Sequence, residues 1–493
     1  MVYVARSAST PIGPLQERGP PATGAGSTST SMNKIAPFLT SRKGLIPLYL
    51  VFLGAFAGAS GSRLRAHSQY NHYVYLAEGW LHGRLSLAGP PPNENDWGLI
   101  EILNLRDGTT LKGTFSKRMP DRFTPLKGTP RTITPDQIAS RSNLRYVTFP
   151  PFPAVLMLPI VAISGLSTND VIFTICLAAC APVLFLGLLR ELVKRGYSRR
   201  TPEDDLWLMF AFGLGSVFYY ASVLGQVWYT AHIVAVLIGI LFVRSALDAR
   251  RPATAGLLLG LGMATRPPLG FMCIFFVLES LRVLGGPKEA IRNPQNRVRL
   301  VVLLLKFGLA ALAIAAVMVV HNYVRFQSLS VFGHEYLNIA WAQRIERWGL
   351  FNYHFLSRNL TAALLLTPQV FKNYPYVKVS SHGLSLLITS PFLIYCVLPR
   401  ERSPLRPSLW WTIGGVALLP LLYQNSGYIQ FGYRFSLDYM VFLMTLIAVE
   451  GRPLSRVFKA MVIIAIAINL FGAITFDRFG EFRYEGFFPH GSD

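Results

Sequence analysis

The chain of 493 residues is 52% hydrophobic and only 15% charged, yet it carries a formal net charge of +22. A water-soluble domain has about a quarter of its residues charged, and here the apolar residues come in long uninterrupted blocks, so lipid is the solvent for much of the chain. The cations are scattered in short segments between those blocks rather than gathered into a basic domain, which argues against nucleic acid and for membrane topology and anionic headgroups.

Residues 1–43 are rich in Ser, Thr, Gly and Pro and predict a disordered cytoplasmic tail that ends on Arg42-Lys43. The apolar block at 44–61 has about 18 residues, near spanning length, and follows too long a tail for a signal peptide. Further apolar blocks cover 171–189, 205–222, 229–247, 253–265, 268–284, 300–320, 384–398, 409–423, 435–450 and 460–475. Alternate connectors are basic: Arg190 to Arg200, Arg250-Arg251, Lys288 to Arg299, Arg400 to Arg406, and Arg452 to Lys459. The intervening short connectors carry little beyond Arg266 and Arg434. Because basic segments resist export, this alternation predicts about eleven crossings with the N-terminus inside.

The expected fold is therefore an all-α polytopic protein of the cytoplasmic membrane, its membrane domain covering 44–476, with a C-terminal tail at 477–493 outside. Two long outer segments, 62–146 and 321–380, are expected to carry juxtamembrane helices. The proline-crowded stretch at 147–166 predicts a juxtamembrane or re-entrant element on the outer face, because proline removes backbone donors. All four cysteines, Cys176, Cys180, Cys273 and Cys396, lie in apolar runs, so neither a disulfide framework nor a structural zinc site is expected.

Polar groups at the membrane boundary are the candidates for chemistry. The first outer segment opens on an amphipathic run from His67 to Arg84 that includes Asn71 and Glu78, then reaches Asn93-Glu-Asn-Asp96-Trp97. An acid beside Trp suits a general base near a sugar face, and equally suits an ordinary turn. Gly225-Gln-Val-Trp228-Tyr229-Thr-Ala-His232 lies on an outer turn, where a headgroup is met. Arg266, in Ala264-Thr-Arg-Pro, opposes the positive-inside bias, and its planar fork suits an anionic partner such as phosphate. The last group joins Asn322-Tyr-Val-Arg325-Phe, Phe332-Gly-His-Glu335-Tyr and Phe431-Gly-Tyr-Arg434-Phe-Ser-Leu-Asp438. Here Arg434 and Asp438, four apart, have the spacing of a helical ion pair.

The order of these motifs resembles the GT-C superfamily of polytopic glycosyltransferases, which includes protein O-mannosyltransferases and lipid A aminoarabinose transferases. It looks closest to the bacterial branch called glycosyltransferase 39-like, over about 44–450. The shared elements are Asn71-His-Tyr-Val-Tyr-Leu-Ala with Gly83-Arg-Leu, then Tyr146-Val-Thr-Phe-Pro-Pro-Phe-Pro, Ala264-Thr-Arg-Pro, Asn322-Tyr-Val-Arg-Phe and Phe431-Gly-Tyr-Arg-Phe-Ser-Leu-Asp. The resemblance implies a polyprenyl-phosphate sugar donor, an extracytoplasmic acceptor, inverting transfer and a carboxylate base in the first outer loop. Where better-known members show Asp-Glu soon after the first span, this chain has Gln69 and Asn71. Asp96 is then the expected base and Glu78 the rival. Arg266 and Arg434 are expected on the donor phosphate. Asn71, Trp97, Trp228, Tyr229, His232, Arg325, Glu335 and Asp438 are expected around the sugar or acceptor. No nucleotide fingerprint and no dense carboxylate cluster is present, so no cofactor or metal is expected. Two other classes share parts of this pattern. A lipid-linked oligosaccharide polymerase or ligase would use the same long outer loops. A transporter would need mid-membrane charges, of which Lys306 is the clearest here.

The topology has a direct check. A cysteine replacing Lys288 should react with an impermeant thiol reagent only after the membrane is opened, and one replacing Thr129 should react in intact cells. The opposite pattern overturns the map.

Overall fold

In lipid every backbone polar group needs an internal partner, so helices dominate wherever the sequence is apolar. The computed structural model describes residues 32–329, 331, 333–339 and 341–486. The expected tail up to residue 31, Phe332 and the last seven residues lie outside them.

The chain opens with α1 (Met32–Leu39) and α2 (Leu45–Ser60), then α3 (His72–Leu81) in the first outer segment. Next come α4 (Phe152–Ser164), α5 (Asp170–Lys194), α6 (Pro202–Gly213), α7 (Phe218–Ser222), α8 (Val227–Ala246), α9 (Pro252–Met263), α10 (Cys273–Val283), α11 (Pro287–Arg292) and the long α12 (Pro294–Phe326). The second outer segment holds α13 (Ala342–Trp348) and α14 (Leu356–Leu364). The C-terminal part adds α15 (Leu386–Thr389), α16 (Arg406–Leu422), α17 (Leu437–Val449) and α18 (Arg456–Thr475). Helix starts follow local chemistry. Asn169 and Asn293 cap α5 and α12 by accepting the first free backbone N–H groups. Thr201 and Asp204 form a capping box with Pro202 at the first helical position of α6.

Among the described residues five helices are long and apolar enough to cross a membrane: Arg42–Arg65, Asp170–Lys194, Val227–Ala249, Pro294–Phe326 and Arg456–Thr475. The other six expected spans are shorter or broken. The block at 205–222 divides into α6 and α7, α9 has 12 residues, and the block at 384–398 keeps only four α-helical residues before a 3-10 turn. A 12-residue helix rises about 18 Å, well short of an apolar core about 30 Å thick. The protein is thus largely helical with five span-length helices. Within it α8 is central, its apolar stretch 83% buried, whereas that of α12 is 6% buried and turns outward. α12 lies closely on α9 because Gly256 and Gly260 leave room. A Cβ at Gly256 would stand 1.9 Å from the Phe307 carbonyl oxygen.

The all-α expectation fails in the first outer segment. Residues 98–146 form an antiparallel five-stranded sheet of β1 (Gly98–Leu105), β2 (Thr110–Phe115), β3 (Arg122–Pro125), β4 (Arg131–Thr132) and β5 (Ile138–Tyr146), ordered β4-β3-β2-β1-β5. One face buries Leu103, Leu111, Phe123 and Ile133. Alternation of side chains across a strand drives this, with Glu101, Leu103 and Leu105 on one side of β1 and Ile100 and Ile102 on the other. The signal was present in the sequence but is shorter than a membrane span. The proline-rich stretch forms α4, with Pro153 in its first turn, where no backbone donor is needed, and Pro159 inside it. Its Ala154, Met157 and Val161 pack inward while Val155, Ile160 and Ile163 stay exposed.

Candidate active site

The candidate site lies where the root of the sheet meets the first turn of α8 and the start of α17. Val227 donates its backbone N–H to the Tyr70 carbonyl, which docks α8 against the segment leading into α3. Asn71 precedes α3 and is buried, its Nδ2 3.4 Å from His67 Nδ1 and its Oδ1 unpartnered. His72, fully buried, stacks on Trp97 with ring centroids 3.8 Å apart and planes 12° apart. Burial outweighs the backbone carbonyls of Tyr70, Asn95 and Asp96 and holds His72 neutral, pushed down to about 4.

Asp96 follows from this framework. Its backbone has φ of 64°, a left-handed conformation that Asp tolerates better than most residues. A short antiparallel clasp fixes it: Asp96 donates its N–H to the Asn338 carbonyl, and Asn338 donates to the Trp97 carbonyl. The Arg434 guanidinium and then the Trp228 indole favour the ionised form of its side chain. Burial outweighs both and pushes Asp96 up to about 6. At neutral pH it is ionised but basic enough to take a proton.

Arg434 is 4% exposed and makes no ion pair with a described carboxylate. Its Nη1 donates to the Ile429 carbonyl at 3.0 Å and lies 3.4 Å from the Tyr229 hydroxyl, while Nε has no partner. The guanidinium sits 5.2 Å from the Tyr229 ring centroid, 5.5 Å from Phe435 and 6.0 Å from Trp228. A buried guanidinium held by rings and one carbonyl is a standing site for an anion.

Arg266 has a different setting. Its fork is taken by Asp438, with Nε to Oδ1 at 2.5 Å and Nη2 to Oδ2 at 2.8 Å. His232 Nδ1 lies 3.3 Å from the same carboxylate. The helical pairing of Arg434 with Asp438 suggested by their spacing does not form, because Asp438 gives both oxygens to Arg266. Even so, the two arginines flank one ring: Arg266 Cζ is also 5.5 Å from the Phe435 centroid.

Asp96, Trp97, Trp228, Tyr229 and Arg434 are therefore gathered around one site, with Arg266, Asp438 and His232 in an adjoining buried cluster, while the side chain of Asn71 meets His67. Glu78, Arg325 and Glu335 stand apart. Glu78 lies against Gly165 and 3.5 Å from His82. Arg325 ties the end of α12 to the Val147 carbonyl at 2.6 Å and to Asn322 at 2.7 Å. Glu335 is exposed. Sequence reasoning missed His72, Tyr70 and Phe435 as individual parts of the site. Each lay inside a motif already singled out, but as an anchor its role is ring stacking, which spacing does not reveal. Among the described residues no group of three or more His, Cys, Asp or Glu side chains could hold a metal ion.

No family model matches the chain, and no curated protein matches it. Among solved structures the chain is similar to the Archaeoglobus fulgidus oligosaccharyltransferase in its apo form, with a TM-score of 0.38 and 12% identity. The match covers 86% of this chain and 55% of that one, so the chain spans about half the length of that protein.

Two outcomes follow from the geometry. Removing either partner of a buried ion pair strands the other, so Asp438→Leu and Arg266→Met should each destabilise the fold by about 3 kcal/mol, while the Arg266→Met/Asp438→Leu double variant recovers most of that. Thermal melting in detergent checks it, and additive losses would refute the coupling. For Asp96 the folded state raises the carboxyl from 3.8 to about 6, so ionising it costs stability. That cost is absent below the unfolded value, grows between the two values and is constant above about 6. Asp96→Asn should therefore melt higher than the parent at pH ~7.5 and alongside it below pH ~4.

Proposed function

We propose that the chain is a membrane glycosyltransferase of the GT-C type that moves a sugar from a polyprenyl-phosphate donor to a hydroxyl of an extracytoplasmic acceptor, with inversion. The observation that carries this reading is the meeting of Asp96 and Arg434, far apart in sequence, in one aromatic-lined site. A base with its pKa raised to about 6 and a buried guanidinium without a carboxylate are the two groups that such a transfer needs. The acceptor oxygen attacks the anomeric carbon while Asp96 takes its proton. The bond between that carbon and the phosphate oxygen breaks, and the departing polyprenyl phosphate is held by Arg434. Trp228 orients the base, and Trp97, Tyr229 and Asn71 line the space for sugar rings. Arg266, fixed by Asp438, supports Phe435 and adds to the field on the phosphate. The reading carries with it an inner-face N-terminus, an outer-face site and a lipid donor reached through the bilayer.

The test uses purified protein with a polyprenyl-phosphate sugar, following release of free polyprenyl phosphate. Asp96→Asn should lower kcat by about 10²–10⁴-fold, the usual worth of a general base, while donor binding persists. In the parent, kcat/KM should fall as the pH drops through about 6, because the base is then protonated. Arg434→Lys keeps the charge but loses the fork and should weaken donor binding by about 1–3 kcal/mol. Glu78→Gln should be near normal. Full activity in Asp96→Asn, or loss in Glu78→Gln alone, removes Asp96 from the role.

A further inference from the structure

The sheet of the first outer segment is far more basic than the helices' outer turns. Residues 98–146 hold nine Lys and Arg against four Asp and Glu, and the stretch from Lys112 to Lys127 holds five cations and one acid. Lys112, Lys117, Arg118, Arg122 and Lys127 are all exposed. The ion pairs at this sheet, Arg141 with Glu101 and Arg145 with Glu94, take none of these five. An ordinary solvated face intersperses both signs, since like charges at this density repel one another.

The pairing sets two of these cations, Lys112 and Arg122, on one face, with Lys117 and Arg118 just past β2 and Lys127 just past β3. Leu126, the residue before Lys127, donates its backbone N–H to the Lys112 carbonyl. Thr114 pairs with Thr124 and Arg122 with Thr132, so Lys112, Thr114, Arg122 and Thr124 share one face of β2 and β3. The same face continues as a line of hydrogen-bonded polar groups, Thr110 to Asn104 and Asn104 to Ser140, each at 2.8 Å. Hydroxyls and amides beside uncompensated cations are the chemistry that meets a hydroxyl-rich anion. A lipid surface fits less well, because Met119 is the one exposed large hydrophobic side chain on the sheet.

The face is coupled to the candidate site at two points. β1 begins two residues after Asp96, and Gly98 bridges to Leu337 in the clasp that holds it. The turn after β2 is braced by Glu346 of α13, which accepts from the Ser116 hydroxyl at 3.0 Å and the Lys117 N–H at 2.8 Å.

We propose that this cationic face of β2 and β3 docks an anionic glycan, a polymer of carboxylate- or phosphate-bearing sugars, and that this polymer is the acceptor presented to Asp96. The second half rests on the glycosyltransferase reading, but docking itself does not. The full chain in phosphatidylcholine nanodiscs, without donor, should bind polygalacturonate and not neutral dextran of similar length. Binding should weaken at least about tenfold between about 0.05 and about 0.5 M salt, as screening shortens the reach of the charges. Lys112→Glu/Arg122→Glu/Lys127→Glu should weaken it at least about tenfold more, with an unchanged melting temperature. The matching Gln variants serve if the Glu set folds poorly. Equal binding of dextran, equal binding of polyglutamate, competition by phosphatidylglycerol nanodiscs, or no change in either variant set each overturns the proposal. If docking holds and polyprenyl phosphate is never released, the glycosyltransferase reading fails alone.

Discussion

Asp438 has two arginines available to it, and its choice shapes the site. Arg434 lies one helical turn away in the chain, yet both carboxylate oxygens go to Arg266, brought in from the end of α9. In a medium of low dielectric a bidentate, fork-to-carboxylate contact is the geometry that best offsets the desolvation of both charges. With Asp438 committed, the buried Arg434 meets rings, the Ile429 carbonyl and the Tyr229 hydroxyl. Its charge is felt by Asp96, which comes from a different part of the molecule. The ion pair thus leaves the Arg434 guanidinium without a carboxylate on its fork.

The same arrangement explains why Asp96 differs from a loop carboxylate. Exposed turn acids keep low pKa values, as Asp107 and Asp136 do in the sheet, where nearby hydrogen bonds stabilise the ionised form. Asp96 is enclosed instead, between the Trp97–His72 stack, the Trp228 indole and the clasp from Asn338. Enclosure raises its basicity, and the two backbone bonds of the clasp keep a left-handed residue in place. Functional groups on loops are useful only when a rigid scaffold fixes them, and here the scaffold is the root of the sheet.

The sheet also has an electrostatic character of its own. Membrane helices bury apolar surface in lipid and keep their cations at the connectors, but β2 and β3 hold theirs out in water, away from any described carboxylate partner within ion-pair distance.

The sequence alone determined the solvent of this protein, because unbroken apolar blocks and alternating basic connectors depend on residue type and spacing only. It also made Asp96, Trp228 and Arg434 candidates, since polar groups at a membrane boundary are costly wherever the chain goes. The sheet was legible too, as alternating residues from Gly98 to Leu105, but its period of two is hidden from a reading tuned to blocks of span length. What no spacing rule could decide was partnership. The i,i+4 distance between Arg434 and Asp438 is fixed by the chain, whereas the competing contact to Arg266 depends on how α9 and α17 pack. Stacking of His72 on Trp97 likewise exists only after α3 and β1 have met. Tertiary structure settled these because ion pairs and ring stacks are short-ranged, and what lies within a few ångströms in the fold lies hundreds of residues apart in the sequence.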